Sequence, residues 1–192
     1  MGHNRFMKTF IILLLLISQT TFAQSSRPKI PYWDFVAEIE RTGLVAYKQY
    51  DWSERSLQKL LRDVPILNNL VSQIGRKKIV YKMGGENPGK SGFTTVLKNG
   101  DIYVQIYYAK HLKNIDVALT LGHELVHALH IDNGLFDSWK RDVRANQKEY
   151  AQCVSEAGAY TWSGIYASNE STRKWVAEQI KENQDCMKRL FR

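Results

Sequence analysis

The chain has 192 residues, 44% of them apolar and 24% charged, with a formal net charge of +8. That apolar content, at one ordinary domain's length, excludes a polar disordered chain and is enough for a real core. The positive charge is scattered. Its densest runs, Arg76-Lys77-Lys78 and Lys188-Arg189, are too short for a nucleic-acid footprint, so no nucleic-acid partner is expected.

The N-terminus reads as a secretory signal. Arg5 and Lys8 precede an unbroken apolar run, Phe10–Ile17, and Thr21-Phe22-Ala23 ends the segment with small residues at the minus-three and minus-one positions. Eight apolar residues are too few to cross a bilayer. Cleavage is expected after Ala23, giving a secreted or periplasmic protein, monomeric and without membrane insertion. Residues 1–23 carry two basic residues and no acid, so the formal charge falls from +8 to +6. A polar lead-in over 24–31 then gives way to a single domain over 32–192.

Helical spacing at Trp33, Val36 and Ile39 predicts a first helix over Tyr32–Arg41. A second is expected over Ser53–Arg62, capped by Ser53 with Leu57, Leu60 and Leu61 on one side, and a third after Pro65, over Ile66–Ile74. These N-terminal helices, within 32–76, are expected to back a core over about 78–166. That core starts with strands: Lys78–Met83, then a loop Gly84–Gly89, then Gly92–Lys98. Asn99-Gly100 signals a type I′ hairpin into Asp101–Tyr108, whose Ile102, Val104 and Ile106 share one face. The strands are expected to form a small antiparallel sheet. Asn114 can cap a following helix that Asn133-Gly134 ends. Further helices are expected over about 143–166 and 172–190, the last with Trp175, Ile180 and Met187 inward. The fold class is therefore α+β, a small antiparallel sheet packed on a central helix, followed by a glutamate-bearing helix and a C-terminal one. Cys153 and Cys186 can pair as a disulfide in an oxidising compartment.

The central helix holds the chemistry. His123-Glu124-Leu125-Val126-His127 is an H-E-x-x-H pattern, with two imidazoles on one helix face and a carboxylate between them. Asp116, Thr120, His123, His127 and His130 make a polar stripe on a helix otherwise apolar nearly all round. Such a stripe is costly unless satisfied, and a metal ion would satisfy it. Zinc hydrolysis uses these groups: neutral nitrogen ligands, an open coordination position, and a carboxylate as general base. The three-histidine extension fails, because His130 stands at its glycine and Asn133 at its histidine. His130 is thus expected to support the site or the fold rather than bind metal. The third ligand is expected from the next helix, Glu149 in preference to Glu156; the two share a face.

HELVHALH followed by a glutamate-bearing helix resembles the zincin metallopeptidases, in particular the gluzincins, and the layout is similar to small zinc-protease effector and toxin domains of bacteria. The likeness covers about Lys78 to Tyr160. It implies His123, His127 and Glu149 as ligands of one zinc ion per chain and Glu124 as general base, acting on a protein or peptide substrate. The thermolysin-type E-x-x-x-D signature is absent: Cys153 follows Glu149 at four, and Tyr160 follows Glu156 at four. Tyr160 is a candidate for stabilising the oxyanion, against the alternative of a packed tyrosine. Asp101–Tyr108 is a candidate sheet edge for an extended peptide. The function expected is an exported zinc metalloendopeptidase. The alternative is a catalytically silent zincin-fold binding protein of the cell envelope, against which Glu124 argues, since a degenerate site is free to lose its base.

Overall fold

The computed structural model describes residues 31–43, 52–87, 89–108, 113–136 and 145–190. The expected signal segment and residues 24–30 of the lead-in lie outside them. The described chain is α+β, with helices α1 (Pro31–Arg41), α2 (Glu54–Asp63) and α3 (Pro65–Ser72), strands β1 (Ile79–Glu86), β2 (Gly92–Val96) and β3 (Ile102–Tyr108), and helices α4 (Asn114–Asp132), α5 (Ala145–Ile165) and α6 (Glu170–Leu190). No helix among the described residues is long and apolar enough to cross a membrane.

The sheet is mixed rather than antiparallel. Its order is β1-β3-β2, with β3 parallel to β1 and antiparallel to β2. Ile102, Val104 and Ile106 are fully buried, so β3 is the strand best suited to the centre. The link from β1 to β2 therefore passes across the end of β3, a span of about two strand spacings, ~10 Å. The expected substrate-pairing edge is corrected accordingly. β3 has both neighbours, and β1 and β2 are the edge strands among the described residues, with Thr94 of β2 bonded to the motif helix. β1 also runs further than its apolar segment. Gly84 and Gly85, at φ 129° and 76°, carry it through a register irregularity between Met83 and Glu86, so the strand takes the first half of the expected loop. The hairpin is not the two-residue type I′ form. Leu97 N–H donates to Asp101 O (2.8 Å) and Gly100 N–H to Leu97 O (2.9 Å), closing a three-residue loop with Gly100 at φ 90°.

α4 lies against the inner face of the sheet. Asn114 is its first residue rather than its cap; Lys113 holds the cap position, and its N–H donates to the Asp116 carboxylate (3.1 Å). At the other end Gly134 N–H reaches Ile131 O and Leu135 N–H reaches His130 O, with Gly134 at φ 79°, a complete Schellman stop. Buried Asp132 accepts the Gly75 and Arg76 N–H groups (both 3.1 Å), tying the segment before β1 to this helix end. Ser53 caps α2, whose Leu57, Leu60 and Leu61 are buried. On α1 the buried pair is Phe35 and Ile39, while Trp33 is 63% exposed, and Phe35 packs edge-on against Trp162 of α5 at 6.1 Å. On α6, Val176 and Cys186 are buried, and Trp175, expected inward, is 51% exposed.

Candidate metal centre

Two reciprocal insertions bring α5 close against α4. A Cβ on Gly122 of α4 would stand 1.9 Å from Cη2 of Trp162, and one on Gly158 of α5 would stand 2.7 Å from Cε1 of His130. Each helix thus gives up a side chain to admit a ring from the other. The pairs His123–Ser163 and His127–Ser155 run in opposite sequence order, so the helices are antiparallel.

The histidines turn their Nδ1 atoms to serines of α5. Ser163 donates its proton to Ala159 O (3.0 Å), so toward His123 Nδ1, 3.1 Å away, it can only accept. His123 Nδ1 is therefore the donor in this pair, and Nε2 faces the other ring. Ser155 lies 2.7 Å from His127 Nδ1 and 3.0 Å from His130 Nδ1; having one proton, it must accept from at least one of the two rings. The Nε2 atoms of His123 and His127 meet at 3.2 Å, and Glu156 Oε2 stands 3.8 and 3.6 Å from them. Burial holds His127 down at about 4, with His123 and His130 acting the same way and Glu156 opposing them; burial alone holds His130 at about 4. Both rings are neutral at ordinary pH. Burial pushes the Glu156 carboxyl up, but the His123 and His127 rings that face it and the Lys90 ammonium outweigh burial and leave the group below the usual carboxylate range. Two ring nitrogens and a carboxylate oxygen converge here, a donor set that suits zinc.

Glu124 is buried beside this cluster. Thr94 of β2 donates to its Oε2 at 2.6 Å, and a Cβ on Gly92 would stand 2.6 Å from its Oε1, so the edge strand shapes the carboxylate's seat. Burial raises the Glu124 carboxyl and Glu156 adds to the rise, while Thr94, His123 and Lys90 oppose it. A raised pKa suits a proton acceptor working near neutrality.

The other expected residues fall as follows. Glu149 is exposed, with its Oε1 4.0 Å from Cys186 Sγ, two helical turns from Glu156; the structure brings Glu156, and not Glu149, to the histidines. Cys153 and Cys186 are bridged, with their Cα atoms 6.2 Å apart, and so fasten α6 to α5. The Tyr160 ring lies edge-on to His123 at 5.0 Å and to Trp175 at 5.5 Å. Burial, then Glu156, Glu124 and Glu182, raise its phenol, which stays protonated. His130 is buried and shares Ser155 with His127, so it steadies that ring through a hydroxyl. All this opens on a cleft of about 1030 Å³ between β2 on one side and α5 and α6 on the other, with α4 as its floor.

The chain matches no protein-family model, no curated protein and no solved structure. The functional reading therefore rests on the site. Thr94, Ser155, Ser163 and Lys90 were not singled out in the sequence. The α5 pair had a signal: Ser155, Glu156, Tyr160 and Ser163 recur at helical spacing and mirror the histidine stripe of α4. Thr94 and Lys90 had none, since only the tertiary fold brings β2 and the preceding loop to the motif.

Proposed function

We propose that this protein is an exported, gluzincin-like zinc peptidase with His123, His127 and Glu156 as metal ligands and Glu124 as general base. One observation carries the reading. The two Nε2 atoms stand 3.2 Å apart with Glu156 Oε2 within 3.8 Å of both, while the buried Glu124 carboxylate lies beside them on a hydroxyl from the edge strand. The export half rests on the signal pattern at the N-terminus.

A bound zinc ion would supply Lewis acidity, lowering the pKa of a water and polarising a carbonyl. The chain's own residues do the rest. Glu124 takes the proton of the attacking water and gives it to the departing amine. Thr94 aims that carboxylate, and burial excludes bulk water from it. Ser163 and Ser155 hold the imidazoles in orientation. The Tyr160 phenol, protonated and on the cleft wall, is the donor for charge developing on the carbonyl oxygen. The exposed edge of β2 lines the cleft and can pair with an extended peptide.

The test uses the mature chain. Native mass spectrometry should find one zinc per chain, and a peptide library should be cut in a chelator-sensitive way. Glu124→Gln should keep the zinc and lose at least a hundredfold in rate. A chain that binds no zinc, or cleavage that survives in Glu124→Gln, overturns the assignment.

A further inference from the structure

Resting on the peptidase reading, we propose that the substrate is an acidic stretch of polypeptide, bound extended, with acidic side chains on both sides of the bond cut and about five positions apart. Charge is unevenly distributed along the cleft. Its charged lining residues, among those described, are Lys77, Lys90, Lys148, Glu124 and Glu156. The two acids sit together at the centre. Glu124 is hydrogen-bonded to Thr94, and Glu156 sets its Oε2 3.8 and 3.6 Å from the two histidine nitrogens, where one divalent ion would engage it. A divalent ion would balance their charge, and the lysines would then set the sign of the cleft.

The lysines are spread along the cleft, not gathered in one patch. Lys90 comes two residues before β2, with its Nζ 5.6 Å above the centre of the Phe93 ring. Lys77 reaches Gly100 O at 3.5 Å, in the hairpin beyond the other end of β2. A ring and a carbonyl orient these ammonium groups without neutralising them. The two charges thus flank β2, whose five residues span roughly 16 Å, the length of about five residues of a peptide lying along it. An extended peptide paired with the β2 edge would pass one lysine before the scissile bond and the other after it. Basic side chains at the same places would meet like charge, which is the discriminating element.

The experiment compares three fluorogenic peptides that share one scissile core and carry, five positions apart, two glutamates, two glutamines or two lysines. The protein is the zinc-loaded mature chain. The expected order of kcat/KM is acidic, neutral, basic. The acidic-to-neutral ratio should be about threefold to thirtyfold at low salt, as expected for two exposed ion pairs, and should shrink toward one at 0.5 M salt. In Lys77→Glu/Lys90→Glu the ratio should invert. If that variant fails to fold, the wild-type ratio and its salt dependence still decide.

A second arm measures anisotropy of the same peptides, labelled, on zinc-loaded Glu124→Gln. Cleavage without an acidic preference, or with a basic one, sinks this inference and leaves the peptidase reading standing. Preferential binding of the acidic peptide with no cleavage of any peptide by the wild-type chain does the reverse. Neither binding nor cleavage sinks both.

Discussion

Ser155 Oγ lies 2.7 Å from Nδ1 of His127, and the same hydroxyl lies 3.0 Å from Nδ1 of His130. One buried hydroxyl thus orients a proposed ligand and a second, non-ligating ring. Metal-ligating histidines need such a partner to fix tautomer and ring angle, and losing it costs ten- to a hundredfold in affinity. Ser155→Ala should weaken zinc binding by about that factor while leaving two buried imidazole nitrogens without their partner, at about 1–3 kcal/mol of stability. Competition with a chromophoric chelator reads the first effect and urea unfolding the second. Unchanged zinc affinity in a folded Ser155→Ala protein would remove Ser155 from the centre.

The two glutamates of α5 separate in a single comparison. Glu156 Oε2 is within 3.8 Å of the Nε2 atoms of both His123 and His127, and Glu149 is exposed near Cys186. Glu156→Gln should lower zinc affinity at least a hundredfold, and Glu149→Gln should leave it within a factor of two or so, because only the first removes a charged ligand. The reverse pattern would restore Glu149 as the third ligand.

The choice between Glu149 and Glu156 lies outside what one helix's period can show. His123, Glu124 and His127 are set by the period of one helix, and that period is legible without the rest of the fold. Which of two same-face glutamates reaches them depends on how α5 slides along α4. That register is set by Gly122 under Trp162 and Gly158 under His130, a fit of shapes between helices that no periodicity reveals. The sheet shows the same division. The alternation of Ile102, Val104 and Ile106 was readable, but its central place, with β1 parallel beside it, depends on a connection crossing the strand end. On α1 Ile39 is buried and Val36 half-buried as expected, but the buried face turns toward Phe35, one turn before Ile39, and leaves Trp33 exposed.

Gly122 gives the close approach of α4 and α5 a direct test. A methyl group there would overlap Trp162 at 1.9 Å, so Gly122→Ala must displace the indole or the helix. Overpacking of this kind costs about 1–3 kcal/mol, of which the better helix propensity of alanine returns at most about 1. Chemical denaturation should show a net loss, and zinc affinity should fall with it, because Glu156 moves with α5. Combining Gly122→Ala with Trp162→Leu should recover part of the stability, a coupling that a double-mutant cycle measures. Strict additivity of the two losses would mean that the two residues do not touch.

Tyr81 offers a pH-dependent test away from the site. Its hydroxyl is buried with no hydrogen-bond partner among the described residues, and burial pushes its phenol up to about 12. The unfolded chain ionises this phenol near pH 10, while the folded chain keeps it neutral until about 12. Between those values the unfolded state binds fewer protons than the native one, so stability falls as pH rises, by about 2 kcal/mol across the window. Tyr81→Phe removes both the unpaired hydroxyl and this titration. At pH 7 the variant should be as stable as wild type or more so, by up to about 1 kcal/mol. Its advantage should widen between pH 10 and 12, and urea midpoints of the two proteins at pH 7, 10 and 11.5 measure it. A variant that is less stable at pH 7, with a gap that does not move with pH, would show that the hydroxyl has a partner after all.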